Sequence, residues 1–150
     1  MSVGSMCTRR VFSVDGATDA ARAAVAMRDY HVGFLVVTKK QKNGVDAPIG
    51  VITDRDLVLE VMAQSVDPTS VSVQDIMTTN PLVAHEDAPI HDTILHMRAA
   101  GVRRVPVQDA HGKLVGVLSF DDVVGFLNGL LRDMAGAIDH GHNVETRLRA

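Results

Sequence analysis

Aromatic residues are nearly missing from this chain, which has four Phe, one Tyr and no Trp in 150 residues. Any core must therefore be assembled from Val, Leu, Ile, Ala and Met. Cysteine occurs once, at Cys7, so an internal disulfide is excluded. No His and Asn partners form a recognisable set with it, and it reads as a small, semi-buried side chain. Basic charge is also short: 15 Lys and Arg stand against 18 Asp and Glu, a net charge of −3 with His neutral. The pairs Arg9-Arg10, Lys39-Lys40 and Arg103-Arg104 are too scattered for a nucleic-acid footprint. No segment reaches the roughly 18 consecutive apolar residues of a membrane helix. The opening "MSVGSMCTRR" lacks the apolar stretch of a secretory signal. The expectation is a soluble, cytoplasmic protein with neither membrane nor nucleic acid as partner. There is no P-loop, nucleophile elbow or paired metal motif, so no catalytic or metal-ligating set is expected.

What is present is a duplication. Shifted by 70 positions, Cys7 to Ser13 falls on Met77 to Val83, Met27-Arg28 on Met97-Arg98, Val32 on Val102 and Val37 on Val107. At the next strand, Gly50 matches Gly116, a shift of 66. The difference falls in one loop, "TKKQKNGVDAP" against "QDAHGK", where a surface hairpin absorbs it cheaply. Each copy predicts a short extended segment (11–14; 82–84), a helix, a strand (33–38; 103–107), a turn, a second strand (49–52; 114–118) and a second helix. Asp19 is placed to cap the first helix over 20–30; Pro89 suits the first turn of its counterpart, and Gly101 its end. The expected class is α+β: two β-α-β-β-α repeats packed with pseudo-twofold symmetry, because a unit of about 50 to 60 residues buries its sheet poorly alone. The expected division is 1–75, 76–127, and a C-terminal helix and tail at 128–150.

Both second helices begin alike, "GVITDRD" at Gly50–Asp56 and "GVLSFDD" at Gly116–Asp122. Thr-x-x-Asp or Ser-x-x-Asp is a capping-box-like pattern, and a structural role alone accounts for one copy. Recurrence at matched strand-helix junctions adds a second reading. Free N–H groups and the positive end of a helix dipole would face a common mouth, where anions bind. A carboxylate beside them suits a ribose, whose neighbouring hydroxyls it can accept from. The Thr53 or Ser119 hydroxyl would then face a phosphate.

These motifs, with "HVGFLVV" matched by "GVRRVPV" and the entry "IMTTNPLV", make residues 8–127 resemble a tandem pair of CBS domains, modules named after cystathionine β-synthase. The resemblance implies two pseudo-equivalent sites in a cleft between the repeats. It implies adenosine-containing ligands: AMP, ADP, ATP, S-adenosylmethionine or NAD-type molecules, as regulators rather than cofactors. Asp56 and Asp122 would hold ribose, with Thr53 and Ser119 as hydroxyl partners. Val11, Phe12 and Ser13, and Pro81, Leu82 and Val83, would flank adenine, while Arg55, Arg103 and Arg104 would meet phosphates. It also implies homodimerisation into a flat disc of four repeats, and an effector protein that reads the bound state. Arg55 in copy one against Asp121 in copy two predicts unequal sites, with copy one favouring phosphates. An adaptor with empty clefts is the alternative function.

The seven histidines do not converge by spacing: His91 and His96 lie five apart, and His140 and His142 fall in a tail. His31 is expected to close the first helix. Over 121–140 a longer helix is predicted, with Val123, Leu127, Leu130, Met134 and Ile138 in one stripe widened by Val124 and Leu131. Self-association or packing back onto the chain's own sheet would cover it. "NVETRLRA" is expected to be loose.

Overall fold

The computed structural model describes the backbone of residues 1–148 and the side chains of residues 1–140 and Val144. In the first half, β1 (Ser13–Asp15) leads to helix α1 (Ala20–Tyr30), then to the hairpin β2 (Phe34–Lys40) and β3 (Asp46–Thr53). Helix α2 (Asp54–Asp56) follows at once and widens into a π-helical segment, Leu57–Met62, with Ala63 N–H donating to the Val58 carbonyl at 2.8 Å. After a linker come α3 (Val73–Ile76) and β4 (Thr78–Thr79). The second half repeats the order as β5 (Ala84–His85), α4 (Ile90–Ala100), β6 (Arg104–Gln108), β7 (Leu114–Ser119) and α5 (Phe120–Leu148).

Local chemistry explains the boundaries. The Asp19 carboxylate accepts from the Arg22 N–H at 2.8 Å and starts α1. Its counterpart at the start of α4 is Pro89, which sits at the cap itself and not inside the first turn. Gly101 ends α4 with φ 67°, a left-handed conformation that glycine adopts without strain. The equivalent position after α1 is His31, at φ 55°. The length difference between repeats lies in the β2–β3 hairpin, as its sequence indicates. β6 and β7 cover nearly the predicted residues, β2 and β3 run further into their hairpin, and the short strands β1 and β5 each begin two residues later than expected.

Each half has its own sheet and its own core. β1 is parallel to β2, which is antiparallel to β3; β5, β6 and β7 repeat this arrangement. The two cores are matched residue for residue: Met27, Leu35, Val37 and Ile52 in one, Met97, Val105, Val107 and Leu118 in the other.

The chain exchanges its leading segments between halves. β4, which precedes the second repeat, is the fourth strand of the first sheet, pairing with β3. Thr8, which precedes the first repeat, pairs with Val117 of β7 through two backbone hydrogen bonds of 2.9 and 3.0 Å. Fully buried Val73 belongs to the first core and fully buried Val3 to the second. The N-terminal segment, grouped by sequence order with the first repeat, therefore packs on the second. The shared register shows in the backbone: Val3 and Gly4 N–H donate to Ala88 and Glu86, while Val73 and Gln74 N–H donate to Thr18 and Gly16.

Helix α5 starts on β7, where Val123 is buried. It then runs on to Leu148 through the segment expected to be loose. No proline interrupts it, and Gly125, Gly129 and Gly136 weaken the helix by roughly 1 kcal/mol each without ending it. Val124, Leu127, Leu131, Met134 and Ile138 are all exposed, so the stripe does not fold back on its own sheet. No helix among the described residues is long and apolar enough to cross a membrane.

Candidate functional site

Both capping boxes form, and both also border a cavity. Thr53 donates to Asp56 Oδ2 twice, from its N–H and its hydroxyl, each at 2.8 Å; Asp56 N–H donates back to Thr53 Oγ1 at 3.2 Å. Ser119 and Asp122 repeat this at 3.1, 2.6 and 3.1 Å. In both boxes the carboxylate accepts only through Oδ2. Among the described residues, Asp56 Oδ1 is left with its acceptor capacity, and Asp122 Oδ1 takes only a long 3.4 Å contact from the Thr8 hydroxyl. The structural and ligand-holding readings therefore use different oxygens of the same carboxylate.

The Asp56 cavity has a volume of about 430 Å³ and is also lined by Thr53, Val51, Thr78, Asn80, Leu82 and Val102. The Asp122 cavity, about 360 Å³, is lined by Ser119, Val117, Thr8, Arg10, Phe12 and Val32. Term by term these are pseudo-equivalent positions. Each cavity joins the acid of one repeat to the entry segment of the other half of the sequence duplication: Phe12 faces Asp122, while Pro81 and Leu82 face Asp56. A third hollow of about 810 Å³ lies away from the acids, between α1 and the π-helical segment.

Three placements differ from the arrangement expected. First, Val11, Ser13 and Val83 line neither of the two acid-bearing cavities. The walls take Thr8, Arg10 and Phe12 in one cavity and Thr78, Asn80, Pro81 and Leu82 in the other, a spacing of two that is broken at Asn80, whose φ of 49° is left-handed. The spacing of two in "TRRVF" carries that signal; consecutive triplets obscure it. Second, Arg55 is exposed and outside the Asp56 cavity wall, whose cations are Arg103 and Arg104. The Asp122 cavity has Arg10 and Arg104, so each cavity wall holds two arginines. Third, the first turn of α2 has no spare donor. Asp54 N–H donates to the Gly33 carbonyl, Arg55 N–H to Asp54 Oδ1 and Asp56 N–H to Thr53 Oγ1. The Thr53 and Ser119 hydroxyl protons are likewise given to their own acids, so neither is available to a phosphate while the cap stands.

The residues missed at the sequence level include Thr8, Arg10, Thr78, Asn80, the lining valines and above all Phe34, which lines both cavities. Phe12 stacks on Tyr30 with centroids 4.4 Å apart, and the Arg10 guanidinium lies 5.1 Å from the Phe12 centroid, which fixes that wall. Cys7 sits against Gly116, and burial raises its thiol pKa, which does not favour a reactive thiolate. Among the described residues no three His, Cys, Asp or Glu side chains converge as a metal site requires.

The comparisons fit this architecture. An uncharacterised protein of Methanopyrus kandleri is 33% identical over 124 residues, covering 83% of this chain and 61% of the relative. One of Bacillus subtilis is 37% identical over 102 residues, 67% of this chain and 65% of the relative. The chain thus spans under two thirds of either relative's length. Among solved structures, a CBS domain protein of Pyrobaculum aerophilum complexed with AMP is 27% identical, covers 81% of this chain and 89% of its own, and superposes with a TM-score of 0.71. The family model for the CBS domain matches twice, over residues 3–63 and 73–129, each match including the leading segment that crosses to the other sheet. This chain belongs to the CBS domain family, as a tandem pair.

Proposed function

We propose that this protein is a regulatory module that takes adenosine-containing ligands into its two clefts and passes the resulting change to an effector protein. The observation that carries the reading is the free Oδ1 of Asp56 and the lightly engaged Oδ1 of Asp122, each on the wall of a cavity of ligand size. One carboxylate oxygen can accept from both hydroxyls of a ribose, each bond contributing about 1.5 to 3 kcal/mol. Apolar Phe12 and Val32, or Leu82 and Val102, offer a surface to a base, and Arg10, Arg103 and Arg104 offer charge to phosphates. The AMP complex of the Pyrobaculum aerophilum protein supports this ligand class. The ligand acts as an effector, not a cofactor, in a cytoplasmic module without chemistry of its own. It shifts the chain between states only by its differential affinity for them. The exposed stripe on α5 supports self-association as a homodimer.

A second reading has its own observation. Both acids already engage Oδ2 in their capping boxes, a structural role that suffices in an adaptor whose clefts stay empty and whose task is self-association. Calorimetry with AMP, ADP, ATP, S-adenosylmethionine and NADH separates the two. The sensing reading requires saturable binding by at least one of them, weakened in Asp56→Asn or Asp122→Asn and weakened for the 2′-deoxy ligand. Silence from the whole panel at millimolar concentration supports the adaptor.

A further inference from the structure

The two clefts share a wall, and that wall is asymmetric. Phe34 and Arg104 are equivalent positions of the duplication. Each opens the central strand of its half, directly across the ladder from the capping hydroxyl residue, Phe34 opposite Thr53 and Arg104 opposite Ser119. They are the two residues common to the linings of both acid-bearing cavities. A symmetric pair of repeats would set two cations or none at this divide; this chain sets one.

We propose that Arg104 is a single phosphate-binding cation shared by the two clefts, so that a phosphate-bearing nucleotide in one weakens binding in the other. This rests on the nucleotide reading above. The guanidinium is held only loosely: its ion pair with Asp121 is 3.7 Å long, and the Asp121 side chain is 88% exposed. Such a surface pair contributes little, so the long Arg104 side chain is free to turn toward either cleft. Each cleft also has a private arginine, Arg10 on the Asp122 side and Arg103 on the Asp56 side. With the capping hydroxyls and the first-turn amides of α2 committed, arginine is the main phosphate donor available. The first phosphate takes Arg104 and a private arginine. The second finds only its private arginine, with a bound anion across the divide. A ligand without phosphate makes no claim on Arg104, so its two sites fill independently.

Calorimetric titration of AMP and adenosine into the wild type, Asp56→Asn, Asp122→Asn and Arg104→Gln tests this. Each Asp variant leaves one working cleft and reports its intrinsic affinity. The second AMP on the wild type is expected to bind on the order of tenfold more weakly than the corresponding single-cleft variant indicates, within the usual span of site-site coupling. Adenosine shows no such gap, and Arg104→Gln closes it for AMP. If the wild type fills both clefts at the single-cleft affinities, or if the gap persists in Arg104→Gln, the sharing is refuted while nucleotide binding stands. One AMP per wild-type chain, with binding lost in only one Asp variant, means a single working cleft and also refutes it. No binding of either compound to any form removes the sharing together with the nucleotide reading.

Discussion

Val3 and Val73 occupy the same fully buried place in opposite halves: each opens a short helix ahead of one repeat and lies in the core of the other. Val3→Ala should cost about 1.5 to 3 kcal/mol, as expected for emptying a packed apolar site. The loss should fall on the second half. Hydrogen exchange is the measurement: faster exchange first in β6 and β7, with β2 and β3 less affected, is the expected outcome. Uniform loss across both sheets would contradict it.

Two glycines make the crossing possible. A Cβ on Gly50 would stand 2.3 Å from Met77 Sδ, and one on Gly116 2.6 Å from Cys7 Sγ and 3.1 Å from the Thr8 carbonyl oxygen. Met77 can swing its flexible end aside, whereas the Thr8 backbone is fixed in its bridge to Val117. Gly116→Ala should therefore destabilise more than Gly50→Ala in chemical denaturation. Met77→Ala should rescue Gly50→Ala more fully than Cys7→Ala rescues Gly116→Ala.

Asp122→Ala has two separable effects. Loss of the cap at the start of α5 should cost about 1 kcal/mol of stability in denaturant melts. Loss of the ribose partner should cost a further 1.5 to 3 kcal/mol in ligand affinity, read by calorimetry on folded protein. Ser119→Ala should show the stability loss with a smaller affinity loss, since its hydroxyl proton is given to the Asp122 carboxylate.

A chain ended at Asn128 keeps Val123 and the contacts of α5 with β7 but loses exposed Leu131, Met134 and Ile138. Light scattering should show self-association of the full chain and a monomer for the shortened one, with the two sheets still folded by circular dichroism.

Helix α3 carries a pH marker. Asp75 caps α3 with Ser72, accepting from its hydroxyl and its N–H, and these bonds lower its pKa below the ordinary 3.8. Because the folded value is depressed, the cap contributes fully above pH 3.8 and is lost as pH falls through the folded value. An NMR titration should place the Asp75 midpoint below 3.8, and Ser72→Ala should return it toward that value.

The motifs at 50–56 and 116–122 announced both junctions, because capping is local and a duplicated local pattern is visible without any fold. The hairpin difference and the heads of α1 and α4 were legible for the same reason. The exchange of leading segments was not, since Val3 and Val73 have partners far away in sequence and the repeat offset is silent about which sheet each joins. Nor was the role of Phe34, which reads as one more core residue of a strand until the two halves are set side by side. The spare amides inferred for α2 vanish for a subtler reason: Gly33, Asp54 and Thr53 each answer one of them, and no single motif announces all three.

The reciprocal trade of Val3 and Val73 makes this chain the covalent counterpart of a domain-swapped dimer of single repeats. Neither half is self-sufficient, because the plug that seals each interior is anchored to its sibling. Severed within 64–70, the chain would yield two fragments that mature only in each other's company, and the linker replaces that encounter with a tether.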